Sequence, residues 1–168
     1  MADLGVMALL LGMALSTYSV VGSVVGVKTG MPALVVSARR ALYMTMVTAF
    51  VASGALIAAF VQNEFTIKYV AEHSNSVMDR AFVWVAFYSG NEGSLLYIVL
   101  ALSIMSALAI WFAPRRMERS MPWTIAVLAV VQLFYFFVLI FFASPFELLD
   151  VIPEEGPAPH HRPDLPRR

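Results

Sequence analysis

Four long runs of this chain carry no acidic, basic or histidine side chain, and each is about as long as a bilayer is thick. They cover residues 4–27, 41–61, 95–113 and 122–142. At about 1.5 Å per residue a helix over each reaches about 29–36 Å, against a hydrocarbon core about 30 Å thick. Backbone surrounded by hydrocarbon must satisfy its own hydrogen bonds, as a helix or a closed barrel. The runs lack the apolar/polar alternation of barrel strands, so the sequence predicts helices. The composition agrees: 60% of residues are hydrophobic and 13% charged, against about 45–50% apolar in soluble domains. The expected fold is an all-α integral membrane protein with four transmembrane helices. They would form one domain over 1–146, followed by a Pro-rich tail over 147–168.

Basic residues set an expected orientation. Lys28, Arg39 and Arg40 fall between the first two runs, and Arg115, Arg116 and Arg119 between the last two. Short loops rich in Lys and Arg stay on the cytoplasmic side. Both termini and the long connection over 62–94 are then expected on the outer face, N-out and C-out, in a bacterial-type cell membrane or its organelle equivalent. The first run has no positively charged leader and its basic flank follows it, so it is expected to be retained rather than cleaved as a signal peptide.

Several chemistries are excluded or disfavoured. The absence of cysteine removes disulfides, thiolate metal sites and thioether attachment to this chain. The net charge of zero gives no footprint for nucleic acid. No charged or histidine side chain lies inside a run, which weighs against a self-contained ion pump or transporter. The histidines, His73, His160 and His161, fall in the long connection and the tail without a ligand spacing, so no metal site is expected.

Two features concern helix packing. Gly5, Ala8, Gly12, Ser16, Ser19, Gly22, Ser23 and Gly26 recur along the first run and make a face of small residues. Such a face lets helices approach closely, either within this chain or onto another subunit. Gln132 sits near the midpoint of the fourth run, where an amide should face protein and seek a partner. The same run ends in Phe134, Tyr135, Phe136, Phe137, Phe141 and Phe142. These suit lipid contact and an outer aromatic belt, or a flat wall for a planar cofactor.

The 62–94 connection is too apolar for a bare linker. Phe65, Ile67 and Tyr69 alternate with polar residues, HSNS is turn chemistry, and the stretch around Trp84 suits a short interfacial helix. The connection is expected to fold back on the membrane surface and form part of an outer recess. At its end, in NEGS, Asn91 reads as an N-cap, Glu92 as an acid suited to the helix dipole and Ser94 as a further capping oxygen. Capping does not account for Gly90 and Gly93, which suggest close approach to the backbone.

These stretches carry a resemblance. VQNEFTIKYVAEHSN, followed by FYSGNEGSLLYIVLALSI, resembles the amino-terminal region of the CcmF family, the membrane component of cytochrome c maturation. The family shows N-D/E-F-x-x-x-Y-V-A-x-x-S-N and then W-G-x-H-E-G-S-L-L. The first is matched here by Asn63, Glu64, Phe65, Tyr69, Val70, Ala71, Ser74 and Asn75. The second is matched by Gly90, Glu92, Gly93, Ser94, Leu95 and Leu96. FFASPFELLDVIPEEG resembles the family's exit from its fourth helix. Asn91 stands where the family has histidine, which removes the titratable neighbour of Glu92, and Ser144 replaces an asparagine before proline.

The resemblance implies haem chemistry: such proteins join haem through thioether bonds to the Cys-x-x-Cys-His site of apocytochrome c. The family's haem handling centres on a tryptophan-rich WWD loop and on histidines in later segments, which this sequence lacks. The chain is expected to stop where the family continues into its next membrane region. It then reads as an amino-terminal piece or subunit of a haem lyase, noncatalytic alone. Haem is implied for the assembled complex and is not expected on this chain. The implied partners are membrane lipid, a WWD-containing remainder, other cytochrome c maturation proteins and apocytochrome c. The alternative is a tetraspan scaffold or assembly subunit of a membrane redox complex.

Overall fold

The computed structural model describes residues 2–62, 91–114 and 119–146. Four helices account for nearly all of them: α1 (Ala2–Lys28), α2 (Pro32–Val61), α3 (Asn91–Trp111) and α4 (Met121–Phe141). Each is long and apolar enough to cross a membrane.

The three-residue link between α1 and α2 is a built turn. Gly30, at φ +68°, occupies the left-handed region that L side chains avoid. Its N–H donates to the Val27 carbonyl at 3.3 Å, and the Met31 N–H donates to the Gly26 carbonyl at 2.9 Å. This pair of bonds is a Schellman motif, which satisfies carbonyls left open at a helix end. Pro32 then starts α2, where a missing N–H leaves nothing unsatisfied. The helix is therefore longer than the charge-free run 41–61. Arg39 and Arg40 lie on α2 itself and not in a connecting loop.

The helices form a ring in chain order and alternate in direction. α1 lies along α2 and α4, and α3 lies between α2 and α4. Two apolar clusters fill the interior. One gathers Leu9, Leu56, Phe60, Leu96, Phe136 and Phe146 at the end holding the α1 and α3 starts. The other gathers Ala38, Leu42, Ile110, Met121, Ile125 and Ala129 at the opposite end.

Between the clusters lies a polar layer. Gln132 and Thr45 are fully buried, each about halfway along its own helix. Thr45 Oγ1 lies 2.6 Å from Gln132 Oε1 and 2.7 Å from the Leu42 carbonyl. One hydroxyl proton serves one of these acceptors. Gln132 Nε2 finds no partner among the described residues. Turning the amide over lets its NH2 donate to Thr45 while Thr45 donates to Leu42, so both short contacts become hydrogen bonds. Most other buried hydroxyls donate to carbonyls of their own helix, as Ser16 does to Gly12 and Ser23 to Ser19.

The small-residue face of α1 is taken up inside the bundle. Gly12, Ser16, Ser19, Gly22, Ser23 and Gly26 are all buried. A Cβ on Gly12 would stand 2.5 Å from the Phe136 ring and 2.9 Å from Thr48 Oγ1. On Gly26 it would stand 2.8 Å from Val35 Cγ2, and on Gly22 3.3 Å from the Ala38 Cβ. The Phe146 ring lies against Gly5. Where the backbones come close, the Ser19 hydroxyl donates across to the Ala38 carbonyl at 3.0 Å. Leu9 enters the core, but many large side chains of α1, among them Leu4, Met7, Leu11 and Val21, point outward. In water this would be inverted; in lipid it is the stable arrangement.

Two outcomes follow for denaturation midpoints in detergent. Gly12→Ala forces a methyl into the Phe136 ring and should destabilise by about 1–3 kcal/mol, whereas Gly54→Ala, where an added Cβ meets nothing within 4 Å, should be neutral or slightly stabilising. Gly30→Ala should cost about 1–2 kcal/mol through its backbone angle alone, and Gly30→Asn clearly less.

Candidate functional site

The sequence points to the end of the bundle where α3 begins. Asn91 is the first residue of α3 and is exposed, Glu92 is half-buried in the first turn, and Gly93 is buried. Ser94 Oγ donates to the Asn91 carbonyl at 2.9 Å, where the sequence suggested an acceptor for a backbone N–H. This is the back-bonding habit of serine inside a helix. Glu92 is well placed for the helix dipole, in the first turn.

Beneath this turn the bundle is closed by apolar packing. Leu96 is fully buried among Leu56, Ala59, Phe60 and Phe146, with Leu95 partly buried at the edge. Phe146, just past α4, folds back over the α1 start and seals the ring. Glu92 and Asp3, the only acidic side chains among the described residues, both sit at this end. The site is therefore an acidic rim on a tightly packed floor, carried at the starts of α1 and α3. Asn63, Phe65, Tyr69, Ser74, Asn75 and Gly90, the remaining motif residues, lie outside the described residues, as does His73.

The described residues contain none of the chain's three histidines and no cluster of His, Cys, Asp or Glu able to hold a metal. The interior near the rim is filled by Leu9, Leu56, Leu96 and Phe136, each at most 1% exposed. The aromatic end of α4 is not a flat wall either. Phe136 turns into the core, while Phe134, Phe137, Phe141 and Phe142 face outward, with Phe137 tilted by 41° against Phe141. What this arrangement offers is an acid-rimmed, tightly packed end of the bundle.

Sequence reasoning missed three positions that build the bundle. Gly30 was signalled by the TGMP turn between two apolar runs. Phe146 had no local signal, because its role depends on Gly5 at the far end of the chain. The recess beside Arg39 and Tyr43, at the opposite end, became visible only once α2 was seen to begin at Pro32.

No family-level sequence profile matches the chain. Individual proteins do. The cytochrome c-type biogenesis protein NrfE of Haemophilus influenzae is 27% identical over 92% of this chain and 24% of its own length. The cytochrome c-type biogenesis protein CcmF of Escherichia coli is 31% identical over 90% of this chain and 23% of its own. Among solved structures, cytochrome c haem lyase CcmF superimposes with a TM-score of 0.81 at 26% identity, covering 87% of this chain and 24% of that one. The chain is thus a relative of the CcmF-type cytochrome c biogenesis proteins over most of its length, and spans about a quarter of one.

Proposed function

We propose that this chain acts in cytochrome c maturation as the amino-terminal part, or a separate subunit, of a CcmF-like haem lyase, and that it is noncatalytic alone. The observation that carries the reading is the backbone match to a solved haem lyase chain over about a quarter of that chain's length. The sequence carries no WWD segment and no histidine within its four apolar runs, which favours a supporting rather than a haem-holding role. Haem in the assembled complex would be held by the WWD-containing remainder. The acidic rim and the 62–94 connection, with Asn63, Phe65, Tyr69, Ser74 and Asn75, would shape the outer recess where apocytochrome c is received. The four apolar helices and the bacterial relatives favour a bacterial-type inner membrane, and the basic residues at the other end favour that end in the cytoplasm and both termini outside. Other cytochrome c maturation proteins would complete the assembly.

Deleting the gene and staining membrane proteins for covalent haem tests the proposal. Covalent haem in c-type cytochromes should fall at least tenfold and return when the chain is supplied in trans. The tagged chain should also co-purify with a larger membrane protein that contains a WWD segment. Normal haem staining with loss of one respiratory complex would favour the scaffold reading instead. Stable haem binding by the purified chain alone would overturn the noncatalytic role.

A further inference from the structure

The end of the bundle away from the acidic rim holds a recess of about 530 Å³. Arg39, Arg40 and Tyr43 of α2 form one wall, and Trp111, Pro114 and Met121 from the α3–α4 end form the other. The Arg39 side chain is half-buried, and its Nε is shielded from water without an acceptor among the described residues. Arg40 is exposed beside it. Lys28 and Arg119 lie at the same end, which has no described acidic side chain to answer them. A guanidinium N–H held out of water, with no acceptor among the described residues, is a ready donor for an oxyanion.

A second recess, of about 260 Å³, adjoins the first and shares Ala113, Pro114 and Met121 with it. Its other walls are Ala109, Phe112 and Thr124, so it is nearly all apolar. A cationic recess opening beside an apolar one fits an amphiphile and not a small free anion.

The level in the membrane agrees. α2 has 30 residues, about 45 Å, and is longer than the hydrocarbon core is thick. Arg39 lies about 10 Å from its start, which leaves a charge-free stretch long enough to cross. Trp111, Phe112 and Trp123 are exposed at the same level, as aromatic side chains are at the headgroup boundary.

We propose that this paired recess is a binding site for an anionic phospholipid. The phosphate would sit between the Arg39 and Arg40 guanidiniums within reach of the Tyr43 hydroxyl. An acyl chain would leave along Phe112 and Thr124. Free phosphate shares the headgroup chemistry but leaves the apolar recess unused.

The full chain, purified in detergent and stripped of lipid, tests this by native mass spectrometry with phosphatidylglycerol, phosphatidylcholine and inorganic phosphate as probes. Two guanidiniums at one headgroup should favour phosphatidylglycerol over phosphatidylcholine by about thirtyfold. Arg39→Gln with Arg40→Gln should remove the preference, and Lys28→Gln with Arg119→Gln should leave most of it. Arg39→Lys, which keeps the charge and guards against a folding defect, should retain part. Equal affinity for both lipids, or equal loss in the Lys28/Arg119 pair, would overturn the proposal in favour of a diffuse basic surface. Displacement of phosphatidylglycerol by millimolar inorganic phosphate would overturn it in favour of a free-anion site.

Discussion

The closeness of α1 to its neighbours is the constraint on which the bundle depends. In hydrocarbon, burying an apolar side chain gains nothing from the exclusion of water, so helices hold together through contact area and a few polar bonds. Gly12 admits the Phe136 ring, Gly26 admits Val35, and Gly5 admits Phe146. Each glycine removes the Cβ that would hold the partner off. The same approach brings the Ser19 hydroxyl within 3.0 Å of a carbonyl on α2. A ring of four helices closes because one member is thin along one face.

The polar layer fits this account. Thr45, Thr48, Ser16 and Gln132 are buried polar side chains of the layer between the two apolar clusters. Own-helix carbonyls satisfy most hydroxyls, which leaves them free to act as small packing groups. The contact between Gln132 and Thr45 crosses from α4 to α2, a diagonal of the ring where few other contacts form. It fixes rotation about the helix axes, which smooth apolar surfaces alone would leave loosely defined.

Much of the architecture was legible in the sequence, for a physical reason. A charge-free run long enough to cross a bilayer has few alternatives to a helix, so all four elements could be placed from charge positions alone. The small residues of α1 marked its inner face in the same way. Helix ends were less legible. Arg39 and Arg40 looked like loop residues because charge ends a hydrocarbon span, yet it does not end a helix that rises into the headgroups. Ser94 carried cap chemistry, but serine forms several local bonds, and the composition of NEGS does not choose among them. Phe146 and the Arg39 recess depend on contacts between segments far apart in the chain, which no local pattern encodes.

The way the small-residue face is used constrains how this quarter-length piece could join anything larger. Gly12, Ser16, Ser19, Gly22, Ser23 and Gly26 are spent within the ring, so that face is not available to a second subunit. What the outside presents is large: Leu4, Met7 and Leu11 on α1, Tyr97 and Met105 on α3, Phe134 and Phe137 on α4. Lipid accepts such surfaces without specificity. A partner bundle would have to meet them by interdigitating long side chains, which sets helices farther apart than a glycine seam does. An interface of that kind separates more readily than the ring itself. Four helices that close on the small residues of α1 and present mostly long side chains outside can insert as a unit and dock afterwards.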